Sequence, residues 1–142
     1  MSGPPIVFLD ANIIFSAALG GPAFELLLRL ANEGGVRLVT GYSCVVEAGR
    51  NVQRKRPERQ QAFGDILTSL SIEQDEADEH AEWAPQLVNP DDVHVLGAAR
   101  RVGAQVLITG DLMQFGHLMK RDDLGLRVRT LRAFLLEGPS RP

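Results

Sequence analysis

Short apolar runs alternate with longer helical segments along the whole chain, and this alternation limits the folds that the chain can adopt. The first run, Ile6-Val7-Phe8-Leu9, is uninterrupted, as expected of a strand that is buried on both faces. Further strands are predicted at 36–40, 71–72, 106–109 and 127–129, with helices between them. Strands separated by helices favour a mainly parallel sheet. We therefore predict an α/β fold, a three-layer α/β/α sandwich around four or five strands.

Glycine and proline mark many ends of the predicted helices. Pro22 and Pro57 are suited to the first position of a helix, and Gly103 is suited to closing one. Gly34 and Gly35 end the helix that Pro22 begins. The other helices are predicted at 13–19, 42–55, 57–70, 91–102, 112–119 and 131–136.

Length and composition narrow the class of protein. The 142 residues fit a single domain over 1–142, and one cysteine excludes both a disulfide framework and a zinc site of several thiolates. The scarcity of cysteine suits a reducing cytoplasm, and no apolar run is long enough to cross a membrane. The net charge is −3, so a nucleic-acid surface would need locally concentrated basic residues.

Two aspartates follow predicted strands directly. Asp10 follows the first strand, and Asp111 follows Thr109-Gly110 after the strand at 106–109. In open α/β sheets, ligands bind at the carboxyl ends of the strands. The structural alternative is that each aspartate caps the helix after it.

The tetrapeptide Asn89-Pro90-Asp91-Asp92 offers two further carboxylates. Asn89 and Pro90 are suited to starting a helix, and the acids after them suit its positive end, so capping alone accounts for the motif. The same placement brings Asp92 toward the edge of the sheet that Asp10 and Asp111 share.

Glu47 lies in the middle of a predicted helix and therefore has no capping role. On this helix Val45, Ala48 and Val52 are predicted to face the core. Cys44, Glu47 and Asn51 share a different face. The alternative to a functional role is an exposed glutamate that pairs with nearby arginines.

A cluster of carboxylates is a typical site for a hard divalent cation. Clustered carboxylates raise one another's pKa, and a bound cation offsets their repulsion. Ligands that are all oxygen suit Mg²⁺ and Mn²⁺. Such ions activate water and stabilise the oxygens of a phosphate displacement. His80, His94 and His117 have no ligand spacing, and His94 is predicted to be an ordinary polar residue on a helix face.

Three motifs resemble the PIN-domain family over nearly the whole chain. They are Ile6-Val7-Phe8-Leu9-Asp10-Ala11-Asn12, the helix from Asn89 to Ala99, and Val106-Leu107-Ile108-Thr109-Gly110-Asp111. The resemblance implies a ribonuclease that depends on Mg²⁺ or Mn²⁺. It also implies four catalytic metal ligands, which would be Asp10, Glu47, Asp92 and Asp111. Asn12, Thr109 and Asp91 would support them, and Asp91 could replace or assist Asp92.

The resemblance also implies partners. Many small members of the family are toxins paired with an antitoxin protein, and homodimers are common among them. The substrate would be RNA. Family membership leaves open an inactive RNA-binding scaffold, and a receiver-like signalling domain also places acids at strand ends.

A basic run follows Glu47 on the predicted helix. Arg50, Arg54 and Lys55 lie on or near its side and could contact RNA phosphates. The alternative is a solvated helix end whose cations complement the helix dipole. Tyr42, Trp83 and Phe115 are too scattered in the sequence to predict a stacking surface for bases.

Overall fold

The computed structural model describes residues 3–74 and 93–138. Five strands in these residues form one sheet, in which every neighbouring pair is parallel and the order is β3-β2-β1-β4-β5. The strands are β1 (Ile6–Leu9), β2 (Arg37–Gly41), β3 (Ser71–Glu73), β4 (Val106–Ile108) and β5 (Arg127–Arg129). The predicted α/β fold with a parallel sheet of four or five strands is confirmed.

Seven α-helices occupy the connections between and after the strands in the described residues. They are α1 (Ala11–Ala18), α2 (Pro22–Asn32), α3 (Tyr42–Lys55), α4 (Gln60–Leu67), α5 (Val93–Arg101), α6 (Leu112–Phe115) and α7 (Leu131–Glu137). Short 3₁₀ turns at Pro57–Arg59 and Gly116–Leu118 precede α4 and follow α6.

Several helix boundaries differ from the predicted ones. Helix α1 begins at Ala11 rather than at residue 13, because Asp10 already caps it. The single helix predicted at 57–70 is a 3₁₀ turn followed by α4, and the one predicted at 112–119 is α6 followed by a 3₁₀ turn. Pro57 therefore begins a 3₁₀ turn and not an α-helix.

The central strands are buried on both faces. Val7, Phe8 and Leu9 of β1 have no exposed surface, and neither have Val106 and Leu107 of β4. Since successive strand residues point to opposite faces, both faces of the sheet are covered. The covering helices include the mutually packed α1, α3 and α4, and the pair α2 and α7.

The order of the strands reverses at β1. The chain runs from β1 outward through β2 to β3, and then returns to place β4 on the other side of β1. The crevice between β1 and β4 is thus a topological switch point, the usual ligand site of an open α/β sheet. Of the helices in the described residues, none is by itself long and apolar enough to cross a membrane, and only the bent pair α1 and α2 meets those criteria together.

Candidate functional site

Asp10 lies at the carboxyl end of β1, beside the crevice between β1 and β4. The backbone N–H of Asp10 donates to the carbonyl of Ile108, which continues the pairing of Leu9 with Ile108 by one residue. The side chain is almost completely buried, with 6% of its residue surface exposed. A buried carboxylate needs compensating hydrogen bonds, and β4 supplies one of the donors.

Asp10, Asn12, Thr109 and Asp111 form one hydrogen-bonded network across the two strand ends. The Thr109 hydroxyl donates to Asp10 Oδ2 at 2.8 Å and accepts the Asp111 N–H at 3.1 Å. Asn12 Nδ2 donates to the same Oδ2 at 3.1 Å. Asn12 Oδ1 accepts the Gly110 N–H at 2.7 Å. The structure therefore brings together two of the four candidate ligands and two of the three candidate supporting residues.

The network only partly offsets the cost of burying a charge at Asp10. Burial raises the pKa of Asp10 above its ordinary value, and the negative charge of Asp111 raises it further. Hydrogen bonds from Thr109, Ala11 and Asn12 act in the opposite direction. The ionised carboxylate is consequently less favourable here than in water, which is the condition that a bound cation relieves.

Both aspartates also cap helices, as the structural alternative expects. Asp10 Oδ1 accepts the Ala11 N–H at 2.7 Å at the start of α1. Asp111 Oδ1 accepts the Gln114 N–H at 3.1 Å at the start of α6. Capping does not use all the hydrogen-bond acceptor positions of either carboxylate. The described residues fill three of about four acceptor positions on Asp10, since a carboxylate can accept about four hydrogen bonds.

Glu47 is exposed on α3, the helix that follows β2. Its charge and that of Asp10 both act on Cys44, a buried thiol one turn earlier on α3. Burial is the main cause, and together these effects raise the pKa of Cys44 to about 12. Within the described residues, Glu47, Asp10 and Asp111 do not come together as a group that could hold a metal ion, so the role of Glu47 as a ligand stays a prediction.

The predicted core face of α3 needs a correction. Cys44, Ala48 and Val52 are the buried residues, whereas Val45 is only partly buried. The prediction placed Val45 in the core and Cys44 on the face of Glu47. Cys44 lies four residues before Ala48, so it shares the buried stripe of Ala48 and Val52.

The third acidic motif lies outside the described residues. Asp91 and Asp92 immediately precede Val93, the first residue of α5, so their positions relative to Asp10 stay a prediction. Within residues 3–74 and 93–138, no three His, Cys, Asp or Glu side chains lie close enough together to hold a metal ion. A complete metal site would therefore depend on a carboxylate from the third motif.

The chemistry of the donors at the switch point fits a hard divalent cation. Asp10, Asp111 and Thr109 present carboxylate and hydroxyl oxygens, and nitrogen or sulfur ligands are absent from this part of the described network. Oxygen ligands of this kind are those that Mg²⁺ and Mn²⁺ prefer. The raised pKa of Asp10 adds an electrostatic reason for a cation at this position.

The candidate RNA-binding residues lie exposed on the second half of α3. Arg54 donates to Asn51 Oδ1 at 2.9 Å, and the Lys55 ammonium lies 5.7 Å from the centre of the Phe15 ring. Arg50 is also exposed, and it is the one of the three closest in sequence to Glu47. The three cations thus extend along α3 away from Glu47.

An open groove beside Glu47 is a feature that the sequence reasoning missed. It has a volume of about 400 Å³ and is lined by Tyr42, Ser43, Val46, Glu47, Arg50 and His94. We call it the Tyr42 groove. The sequence places Tyr42 directly after the end of β2, and a residue in that position faces the ligand edge of the sheet. That position was the available signal, whereas the separation of Tyr42 and His94 in the sequence concealed their proximity.

A family profile described as the PIN domain matches residues 6–113. No curated protein sequence matches the chain closely enough to identify a relative. The match spans β1 to α6 and therefore includes Asp10, Glu47 and Asp111. It favours the PIN fold over the receiver-like alternative.

Several solved structures share the fold. VapBC2 from Rickettsia felis, bound to a promoter DNA fragment, aligns with a TM-score of 0.67 at 19% identity, covering 88% of this chain and 98% of that chain. VapBC-1 from nontypeable Haemophilus influenzae aligns at 0.62 and 17% identity, covering 89% and 98%. Mycobacterium tuberculosis VapC20, a toxin that cleaves the sarcin-ricin loop, aligns at 0.51 and 15% identity, covering 75% and 92%. At these identities the likeness is one of fold.

Proposed function

The chain belongs to the PIN-domain family, and from this premise we propose that it is an endoribonuclease that depends on Mg²⁺ or Mn²⁺. The observation that carries the proposal is the pair of carboxylates at the switch point. Asp10 and Asp111 follow the two strands that flank the crevice, and the Thr109 hydroxyl connects the Asp10 carboxylate to the backbone N–H of Asp111. A buried carboxylate with a raised pKa beside a second carboxylate is costly for a fold that has no cation to bind.

In the proposed site, Asp10, Glu47, Asp92 and Asp111 hold the ion, directly or through water. When bound, the ion lowers the pKa of a coordinated water and stabilises the charge that develops on the phosphate. Thr109 and Asn12 fix the orientation of the Asp10 carboxyl through Oδ2. Asp91, two residues before Val93 in the sequence, is proposed to assist them. Asp10 Oδ1 keeps acceptor capacity beyond its bond to Ala11, so it is the oxygen available toward the ion.

The RNA backbone is proposed to follow α3 away from the carboxylates. Arg50, Arg54 and Lys55 give this helix the local positive charge that the whole chain lacks. Cations beside an acidic pocket would hold the phosphates of the strand and so position the scissile phosphate near the carboxylates.

We also propose that the protein is the toxin component of a toxin–antitoxin pair. The structural neighbours include VapBC assemblies and a Klebsiella pneumoniae toxin-antitoxin complex that aligns at a TM-score of 0.60 and 17% identity. The partner would be an antitoxin protein, and the toxin itself would form a homodimer. Co-purification with the product of an adjacent gene, and sedimentation of the free protein, test the two assemblies separately.

Cleavage of a 5′-labelled single-stranded RNA tests the enzymatic proposal. With Mn²⁺ the wild type should cut the RNA, and a chelator should abolish cutting. Asp10→Asn and Asp111→Asn should each lower the rate by more than about a hundredfold, since loss of a residue that only supports a metal ligand already costs roughly 10–100-fold. Asp65→Asn removes an equal charge from an exposed position on α4 and serves as the matched control.

The possible results separate the enzyme from an inactive scaffold. RNA binding without cleavage at any Mg²⁺ or Mn²⁺ concentration would favour the scaffold and overturn the proposal. Cleavage that survives both Asp10→Asn and Asp111→Asn would place the active site elsewhere.

A further inference from the structure

The Tyr42 groove has the features of a subsite for a small planar ligand. Its volume of about 400 Å³ lies within the usual range of ligand pockets, roughly 300–1,000 Å³. Tyr42 is 55% exposed and is therefore not packed into the core. His94 supplies a second exposed ring from α5, and Val46 supplies an apolar side chain from α3.

The groove begins beside the strand end that carries Asp10. Phe8 pairs with Val39, and two further residues of this register place Gly41 beside Asp10. Neighbouring strands are about 4.8 Å apart, so Tyr42 begins one strand spacing from the start of α1. Glu47 belongs both to the groove and to the proposed ligand set. The groove therefore begins near the backbone of Asp10 and shares Glu47 with the proposed ligand set, while its lining includes neither Asp10 nor Asp111.

The charges in the groove also suit one class of ligand. Arg50 provides a cation within the lining, on the side from which the basic run continues toward Arg54. A nucleotide combines a flat aromatic base with a phosphate. Aromatic rings stack on bases of any sequence, and arginine binds phosphate through its planar donors. An apolar peptide side chain would use the ring of Tyr42 but would leave Arg50 without an anion.

We propose that the Tyr42 groove binds one unpaired nucleobase of the RNA, stacked on Tyr42 and flanked by His94, with the adjoining phosphate paired to Arg50. The inference rests on the proposed nuclease function and adds a single-stranded substrate and a base-binding subsite to it. Double-stranded RNA would be excluded from this mode, since a paired base cannot leave its stack without cost.

Binding of matched oligonucleotides tests the subsite without any cleavage. The probes are two fluorescein-labelled RNA decamers, oligo-adenylate and an abasic decamer that keeps the ribose-phosphate backbone. Their affinities are measured by fluorescence anisotropy in chelator at low salt. Wild type should bind the oligo-adenylate about five- to tenfold more tightly, the lower range of stacking on an exposed aromatic ring.

Variants of the ring separate stacking from charge. Tyr42→Leu should abolish the preference for bases, so that the two decamers bind with about equal affinity, and should leave the affinity for the abasic decamer unchanged. Tyr42→Phe keeps the ring and should keep the preference, and His94→Ala should reduce it in part. Arg50→Gln should weaken both decamers equally. Leu136→Ala, at a 75% exposed apolar position on α7, is the matched control and should change neither affinity.

The outcomes distinguish this inference from the nuclease proposal. Equal wild-type affinity for the two decamers, or a base preference that persists in Tyr42→Leu, would overturn the subsite. Capture of an apolar peptide by the groove with no base preference would identify a protein-binding surface instead. A preference that depends on Tyr42 in a protein that never cleaves RNA with Mn²⁺ would support the subsite and refute the nuclease.

Discussion

Replacing Asp10 with asparagine should make the metal-free protein more stable. The substitution keeps the shape of the side chain and removes a charge that is 6% exposed. Burial of the ionised Asp10 carboxylate is the largest cause of its raised pKa, and the charge of Asp111 adds a smaller contribution of the same sign. Removing the charge relieves both effects, and we expect a gain on the order of 2 kcal/mol, which lies within the usual range for a single substitution.

The asparagine loses part of the hydrogen bonding that Asp10 has. Because Oδ2 of Asp10 accepts from both Thr109 and Asn12, we expect the amide oxygen of the asparagine to take that position; its nitrogen then cannot accept the Ala11 N–H that Oδ1 accepts. Loss of one such bond costs about 1 kcal/mol. The difference leaves a net stabilisation on the order of 1 kcal/mol, which corresponds to about 3–4 °C in Tm for a domain of this size.

Thermal unfolding in chelator measures the effect, with Asp65→Asn as the control for loss of an exposed charge. The raised pKa of Asp10 predicts the dependence on pH. The folded protein takes up this proton at a higher pH than the unfolded chain does. The stability of the wild type therefore falls as the pH rises from the ordinary value of 3.8 through the raised pKa, and the advantage of Asp10→Asn should disappear in acid.

Added Mn²⁺ should reverse the order of the two proteins. An ion that binds only the folded state raises the Tm of the wild type by mass action, and Asp10→Asn should gain much less. If Asp10→Asn were less stable than the wild type by 1 kcal/mol or more in chelator, capping of α1 would dominate and the electrostatic reasoning would be refuted.

Three further predictions concern the surroundings of the site. Gly110→Ala should slow cleavage but change the free energy of unfolding by less than about 1 kcal/mol. Its Cβ would lie 3.3 Å from Asn12 Oδ1 and disturb the network, while the loss of chain entropy in the unfolded state offsets part of the cost. Cys44 should react with iodoacetamide at pH 8 about a thousandfold more slowly in the folded protein than in denaturant, because its pKa is raised from 9.0 to about 12; equal rates would refute its burial. Replacing Arg50 and Arg54 with glutamine should weaken RNA binding and flatten its salt dependence, and an unchanged slope would assign them to the solvated surface alone.

The sequence predicted the fold because its information is local and periodic. The uninterrupted apolar run at β1 marks a strand, and the glycine and proline positions mark helix ends. Each of these signals is contained in a few neighbouring residues. Asp10 and Asp111 could be placed at one sheet edge because parallel strands share their carboxyl ends. The reversal of strand order at β1, which makes that edge a crevice, depends on which strands pair, and no local pattern encodes it.

For the same reason, contacts between residues that are far apart in the sequence could not be predicted. Thr109 joins Asp10 to Asp111 across about a hundred residues of chain, and only the register of β1 with β4 places it there. The proximity of Tyr42 and His94 likewise depends on how α3 and α5 pack. On α3, the prediction included Val45 in the buried stripe, where the structure has Cys44. The two residues are adjacent on the helix and point about 100° apart, so the edge of the buried face was misplaced by one residue.

A crystal structure of the protein soaked with Mn²⁺, with anomalous diffraction data, tests the central claim most directly. The account predicts an anomalous peak in the crevice between β1 and β4, within about 2.5 Å of a carboxylate oxygen of Asp10 or Asp111, the distance expected of an oxygen ligand. The peak should vanish in crystals of Asp10→Asn. A crevice without a peak at millimolar Mn²⁺, or a peak that persists in Asp10→Asn, would contradict the account.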